Sequence, residues 1–441
     1  MRTHIQGFGS LPHKQAWLLA WPMILSNISV PLMGLADTAM LGHLDNPIYL
    51  GAVAIGSNII ALLYWMFSFL RMGTTSVTAQ AMGAKQPQLA TLHLLQSGFL
   101  GLVFGLLLVA VQAIAIPFAI WLIAPDEALR SLASDYCNIR IYSAPAVLIT
   151  YAAIGWLVGL GKTKLPLIII ASSNLLNIGL DYLFIVHWQW DVKGAAYATL
   201  IAEYTGCITG LLFAAYLCIS RSWPIPRSLD LRLLKESLHL SADLFFRTLA
   251  ILLVINFFNA QSAHYGNAVL AANAILFQGM LFAAFFLDGY ALAGETLTAN
   301  AIGSRDIHRF HRASAVTGVS ALLIAAILTL GFLACGEHLI RLLTDITEVS
   351  NTAIQYLPWL ILIPLASVGA YAFDGIFIGA GHTRTMRNTM IFSVIGIFFP
   401  AWWAFQCWGN HGLWFAFILF NISRGITLAY AYYRISKRQL W

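Results

Sequence analysis

TTSVTAQAMGAK, residues Thr74–Lys85, returns as GETLTANAIGSR, residues Gly294–Arg305, 220 positions later. A second pair falls at the same offset: GLGKTK at Gly159–Lys164 and GAGHTR at Gly379–Arg384. Two matches at one shift, half the length of a 441-residue chain, make the protein two related halves. What each half contains follows from the residues between these landmarks.

Those residues are overwhelmingly apolar. The chain is 59% hydrophobic and 10% charged, where soluble domains carry about 25% charged residues, and its mean hydropathy is +0.77. A soluble globule is excluded. Twelve apolar segments run near 15–41, 50–82, 91–122, 136–160, 165–186, 194–219, 240–263, 268–302, 312–335, 351–380, 388–408 and 411–433. Most exceed the ~20 residues a span needs. Short alternating strands, the mark of a membrane barrel, do not occur. The expected fold is an all-α membrane protein of twelve transmembrane helices in two pseudo-symmetric six-helix lobes. Six is even, so both lobes face the same way, related by an axis along the membrane normal. The lobes are residues 1–219 and 240–441, joined by a cytoplasmic linker over 220–239.

The basic residues set orientation. Arg2, Lys14, Lys85, Lys162, Lys164, Arg221, Arg227, Arg232, Lys235, Arg305, Arg309, Arg312, Arg384, Arg387, Arg434, Lys437 and Arg438 occupy one set of alternate loops and both tails; the opposite loops hold Arg130, Lys193 and Arg341. The positive-inside rule puts both termini in the cytoplasm of a bacterial inner-membrane protein. The net charge of +6 is then a topology signal and not a nucleic-acid footprint. Thr3–Lys14 is polar and leads into a run too long for a signal peptide. In the link, SRSWPIPRSLDLRLLKESLHL (Ser220–Leu240), Pro224 and Pro226 stop the sixth helix, and leucines interleave with Arg232 and Lys235. This suits a short basic amphipathic helix on the inner surface, or a plain connecting helix.

Several apparent motifs carry no chemistry. Gly161-Lys162-Thr163 looks like the end of a phosphate loop, but position 156 is Trp where that loop needs Gly, and the repeat copy has His382 in place of Lys162. It is a helix-to-helix turn. Five scattered cysteines give no disulfide or metal spacing, and His308 and His311 fall in a basic loop without further ligands. No metal centre or cofactor is expected.

The embedded carboxylates are informative, because an ionisable side chain inside a bilayer is costly and points to function. The first helix, WPMILSNISVPLMGLADTAML (Trp21–Leu41), carries Asp37 together with Pro22 and Pro31, residues that remove backbone hydrogen bonds and bend helices. Asn177 and Asp181, spaced i, i+4, share a face of the fifth helix, and Thr199 lies on the sixth. At ~1.5 Å per residue these groups sit at one depth in the outer half of the first lobe. Asp37, Asp181, Asn177 and Thr199 would make an oxygen-rich pocket, extended by Glu203 one turn beyond Thr199. Two close carboxylates can share a proton near neutral pH, and the same oxygens suit Na⁺ at Asp37 and Asp181. Hydrogen bonding across helices is the structural alternative. In the second lobe the embedded charges are Arg247, Asp288, Glu295, Asp374 and Arg424. Their mixed signs favour ion pairs or a charged cavity wall.

Taken together, the two six-helix halves, Pro22 and Asp37 on helix 1, Asn177-x-x-x-Asp181 on helix 5 and Thr199 on helix 6 resemble the multidrug and toxic compound extrusion (MATE) transporters, in particular their DinF-type branch. The resemblance covers nearly the whole chain. It implies a secondary antiporter, not an enzyme, that expels amphipathic and often cationic drugs against H⁺ or Na⁺ by alternating access. It also implies that helix 1 bends at Pro22 as Asp37 changes protonation. Some members carry a helix-7 glutamate; here helix 7 offers Arg247, with Asp243 near its inner end, so the first lobe is the expected coupling site. Tyr64, Met66, Phe67, Phe282 and Phe285 are candidate drug contacts, with core packing as the alternative. Expected partners are the drugs, the ion and the lipid bilayer; no nucleic acid is expected, and the chain is taken as a monomer. A lipid-linked precursor flippase of related plan is the rival, kept open by Arg71, Arg247 and Arg424. A membrane-embedded transferase would need a catalytic cluster at one membrane face, which the sequence does not offer.

Overall fold

A computed structural model describes residues 12–42, 48–123, 126–224, 226, 230–438 and 441. Among these, every regular element is helical: α1 (Pro12–Gly42), α2 (Ile48–Trp65), α3 (Phe69–Gly83), α4 (Pro87–Ile123), α5 (Glu127–Arg140), α6 (Ala144–Gly159), α7 (Lys164–Asp181), α8 (Asp191–Ser220), α9 (Leu231–His264), α10 (Asn267–Gly303), α11 (Ile307–Leu343), α12 (Thr347–Gly379), α13 (Thr383–Phe392), α14 (Phe399–Phe405) and α15 (Asn410–Lys437). Besides α1, eleven helical runs among the described residues are long and apolar enough to cross a membrane. In a bilayer only such helices, or closed barrels, satisfy their own backbone groups.

Four spans are interrupted. α2 and α3 form one span broken by a turn at Met66–Ser68. α5 and α6 are joined through a 3₁₀ turn, Ile141–Ser143, with Pro145 in the first turn of α6. A π-helical turn, Tyr182–His187, continues α7, and another, Ser393–Phe398, continues α13.

The chain divides into two compact units, Leu25–Ser237 and Leu238–Trp441, the second of which also takes in the start of the chain as far as Ile24. The boundaries fall inside two helices, α1 between Ile24 and Leu25 and α9 between Ser237 and Leu238. The early part of α1 is held in the second unit: His13 Nδ1 lies 3.2 Å from Ser320 Oγ on α11, and a Cβ on Gly289 of α10 would strike Ile24.

Inside each unit the 220-residue repeat reappears as packing. Gly155 and Gly159 of α6 lie against α3, where added Cβ atoms would meet the carbonyls of Arg71 and Thr75 and the side chain of Thr78. Gly375 and Gly379 of α12 lie the same way against Ala291, Glu295 and Thr298 of α10. Each of the five positions named in the first unit has its counterpart 220 residues on in the second. Small residues four apart let helix backbones approach closely where lipid supplies no hydrophobic drive.

The turns repeat as well. The N–H of Lys85 donates to the Met82 carbonyl and that of Gln86 to Ala81; Arg305 and Asp306 donate to Ile302 and Ala301. This paired closure is a Schellman C-cap. It puts Lys85 at φ 59 and Arg305 at φ 54. GLGKTK and GAGHTR close likewise, with Gly161 at φ 72 and Gly381 at φ 77. The turn reading of Gly161-Lys162-Thr163 therefore holds.

Two expectations need correction. Leu231–Leu240 is not a separate surface helix but the first turns of the continuous α9, capped by Asp230 Oδ1, which accepts from the N–H groups of Arg232 and Leu233. Likewise His308 and His311 lie not in a loop but in the first turns of α11, with His311 Nδ1 2.6 Å from the Tyr432 hydroxyl. The second unit's core gathers around Phe258, Phe398, Trp414 and Phe420, and Asn273 ties three groups into it: it donates to Ser262 and Asn410 and accepts from Trp414 Nε1.

Candidate ion-coupling site

α7 carries Asn174, Asn177 and Asp181 at i, i+3 and i+7, on one face. Asn177 and Asp181 are completely buried, and Thr199 on α8 nearly so. The Asn177 amide donates to Thr199 Oγ1 at 3.2 Å, and Thr199 donates its own proton to the Ala195 carbonyl at 2.9 Å. Thr199 thus fixes which way the amide points. Asn177 Oδ1 is left buried, with no hydrogen-bond partner among the described residues. Buried acceptors normally have partners. An orphan acceptor one turn from a buried carboxylate suits an added proton donor or a hard cation.

Asp37 lies on α1, and its side chain is outside the described residues. Its position along the helix is nonetheless informative. The Asn174 amide donates to Ser29 Oγ at 3.0 Å, linking α1 to α7 within one unit. Asp37 lies eight residues above Ser29 and Asp181 seven above Asn174. For helices running the same way, at ~1.5 Å per residue, the two positions are ~12 and ~10.5 Å above that link. Asn174 and Ser29 were not singled out from the sequence; the i, i+3 spacing of Asn174 to Asn177 was the signal available.

Glu203 has a different neighbourhood. On α8 it follows Thr199 by one turn, but it forms a two-pronged ion pair with Arg140 at the end of α5, one prong at 3.0 Å. Arg140 is buried. The pair sits beside the breaks in two spans. The Tyr64 hydroxyl, just before the Met66–Ser68 turn, lies 2.9 Å from both the Arg140 carbonyl and Ser143 Oγ in the 3₁₀ turn. Tyr151 on α6 is within electrostatic reach of Glu203 and Arg71. Arg71 Nη1 is buried, with no hydrogen-bond partner among the described residues. Arg140 falls within the apolar segment 136–160, where nothing in the sequence marks Glu203 as its partner.

In the second unit Asp374 on α12 is buried between two arginines. It pairs through Oδ2 with Arg247 of α9 and, at 2.7 Å, with Arg424 of α15. All three are buried. Tyr371 lies within electrostatic reach of these three and of Asp288 on α10. Glu295 is buried where α10 meets Gly379. Asp243 is taken by Arg387 at 2.6 Å and by Thr383 at 3.1 Å.

The candidate drug contacts separate. Tyr64 is a buried hydrogen-bonding group, while Met66 lies in the span break beside Phe67, which packs on Phe69 and Phe104 at 5.8 and 5.5 Å between ring centres. Phe282 is exposed and 5.1 Å from Phe286; Phe285 is half-buried.

A repeated multispan helical fold with a buried acid–amide–hydroxyl cluster between its helices has the architecture of a membrane transporter. The MatE family profile matches residues 22–183 and 244–403, one stretch in each half. The chain is 37% identical to DNA damage-inducible protein F of Escherichia coli, over 100% of this chain and 96% of that protein. It is 22% identical to multidrug and toxin extrusion protein 1 of Pongo abelii, over 93% and 72%. Its fold matches a solved outward-facing multidrug resistance MATE transporter of the MOP superfamily with a TM-score of 0.87, 20% identity and full coverage of both chains. The chain belongs to the MatE family of multidrug and toxic compound extrusion transporters.

Proposed function

We propose that the protein is a proton-coupled multidrug antiporter of the bacterial inner membrane, a monomer with both termini in the cytoplasm, in which Asp37 and Asp181 carry the coupling ion. The observation that supports this reading best is the orphan Asn177 Oδ1, buried one turn from the fully buried Asp181. A protonated carboxyl supplies the missing donor; Na⁺ would use the same oxygens.

The cycle runs as follows. In the outward-open state Asp37 and Asp181 take up protons. Loss of their negative charge lets α1 rearrange around Pro22 and displaces a bound amphipathic, often cationic, drug. The emptied, protonated carrier turns inward, releases its protons and rebinds drug. Coupling requires that proton and drug favour different states. Support for the Pro22 hinge comes from α1 itself. Its early part is anchored through His13 and Ile24 and its later part through Ser29, and Pro22 lies in the early part, two residues before Ile24, where a proline weakens the helix just ahead of that change of partner.

Drug efflux from proteoliposomes under an imposed pH gradient, with and without Na⁺, tests the reading. Wild-type efflux is expected to follow the pH gradient, to ignore Na⁺, and to fall at least tenfold in Asp37→Asn and Asp181→Asn. Efflux that needs Na⁺ and ignores pH would move the ion from H⁺ to Na⁺ at the same site. Normal efflux in both variants would remove the site.

One observation favours the flippase reading. Arg247 and Arg424 share the single carboxylate of Asp374, and Arg71 Nη1 has no hydrogen-bond partner among the described residues. A polyanionic head group would match that excess. Translocation of a labelled lipid-linked pyrophosphate without a pH gradient would support this alternative.

A further inference from the structure

Between α13 and α15, within the second unit, lies a groove of about 580 Å³, a volume in the range of ligand sites. Its two ends differ. One is apolar, walled by Phe392 and Ile426; the other carries Thr385, Asn388, Arg434 and Arg438. α13 begins at Thr383 and α15 ends at Lys437, so the polar end lies where one helix starts and the other stops, on the side of the cation-rich turns. Phe392 is 53% exposed and Ile426 64%, and such a face at that depth is open to lipid.

Among the described residues the charges in the groove have no counter-charge, and no acid lines it. Arg387 is taken by Asp243 and by Asn388 Oδ1, which leaves the amide nitrogen as the remaining polar group of Asn388. Arg434 and Arg438 have no carboxylate partner among the described residues; Arg434 lies over the Tyr430 ring at 5.7 Å. Thr389 and Thr427 spend their hydroxyl protons on their own helices.

We propose that this groove is a binding site for one anionic phospholipid of the leaflet on that side. Arg434 and Arg438 hold the phosphate diester, with the Asn388 amide donating beside them, and an acyl chain lies along Phe392 and Ile426. Guanidinium forks match phosphate oxygens in geometry as well as charge. Basic pockets between spanning helices are suited to anionic lipid head groups. The proposal is independent of which ion drives transport.

Native mass spectrometry of the full-length protein tests it, with phosphatidylglycerol and phosphatidylcholine of identical acyl chains added in turn. Wild type is expected to retain phosphatidylglycerol at least fivefold over phosphatidylcholine. R434Q/R438Q should lose that preference, while R384Q/K437Q, which removes the same charge outside the groove, should keep it. Equal retention of the two lipids in wild type, or equal loss in both double variants, would overturn the site in favour of a diffuse basic surface. Displacement of phosphatidylglycerol by inorganic phosphate would overturn it in favour of a free-anion site. Should R434Q/R438Q fail to fold, Phe392→Trp in the otherwise native protein serves instead. Its fluorescence should be quenched more by brominated phosphatidylglycerol than by brominated phosphatidylcholine, and equal quenching would refute the proposal.

Discussion

Asp374 faces two guanidiniums with one carboxylate, whereas Glu203 faces one. Breaking a buried pair is costly because it leaves an uncompensated charge, typically by about 3–5 kcal/mol. Asp374→Asn leaves two like charges close together; Glu203→Gln leaves one. Thermal midpoints in detergent should therefore fall in both variants, and further in Asp374→Asn. A smaller fall there would mean that Asp374 is not the keystone of that network. Removing both partners in Arg140→Gln/Glu203→Gln should recover part of the loss, the non-additivity expected of a contact pair. The sequence showed each of these as an isolated charge in an apolar run. Which acid met which arginine was not legible, because Arg247, Asp374 and Arg424 come together from three helices far apart in the chain. Asn177 and Asp181 could be placed on one face because they stand one helical turn apart; the Asn177–Thr199 hydrogen bond, which spans two helices, could not be read from the sequence.

Two helices are divided between the units, α1 after Ile24 and α9 after Ser237. The early part of α1 packs on α10 and α11 and its later part on α7, and Pro22 lies in the early part, two residues before Ile24. Pro22→Ala restores a backbone hydrogen bond and stiffens the helix. Transport is expected to fall severalfold while drug binding and thermal midpoint stay near wild type; unchanged transport would show that α1 need not bend there. The α6–α3 and α12–α10 contacts behave differently. Gly375→Val drives side-chain atoms into the Ala291 backbone, so little folded protein should be recovered. Its counterpart Gly155→Val should fail for the same reason, and ready recovery of either would contradict the close packing. Gly155-x-x-x-Gly159 and Gly375-x-x-x-Gly379 place small residues at the four-residue spacing that permits such an approach. The breaks were not foreshadowed. Met66–Ser68 and Ile141–Ser143 interrupt spans whose later counterparts, α10 and α12, run through without interruption, and no proline marks Met66–Ser68 in the sequence.

At the scale of the whole molecule the two halves share a scaffold and differ in their polar interiors. Positions 220 residues beyond Asp37, Asn177, Asp181 and Thr199 hold Phe257, Ile397, Ala401 and Leu419. Conversely, 220 residues before Arg247, Asp374 and Arg424 stand Asn27, Ile154 and Tyr204. Duplication explains the packing; divergence has left Asp37, Asn177, Asp181 and Thr199 in the first half and an arginine-rich network in the second. The coupling protons are proposed to bind in the first half. Proton release on drug binding measures this directly: tetraphenylphosphonium is added to weakly buffered, purified protein near neutral pH, and the pH change is recorded. Wild type should release protons as the drug binds, and Asp37→Asn/Asp181→Asn should release none while still binding the drug. Undiminished proton release from the double variant would contradict the claim and place the coupling group elsewhere.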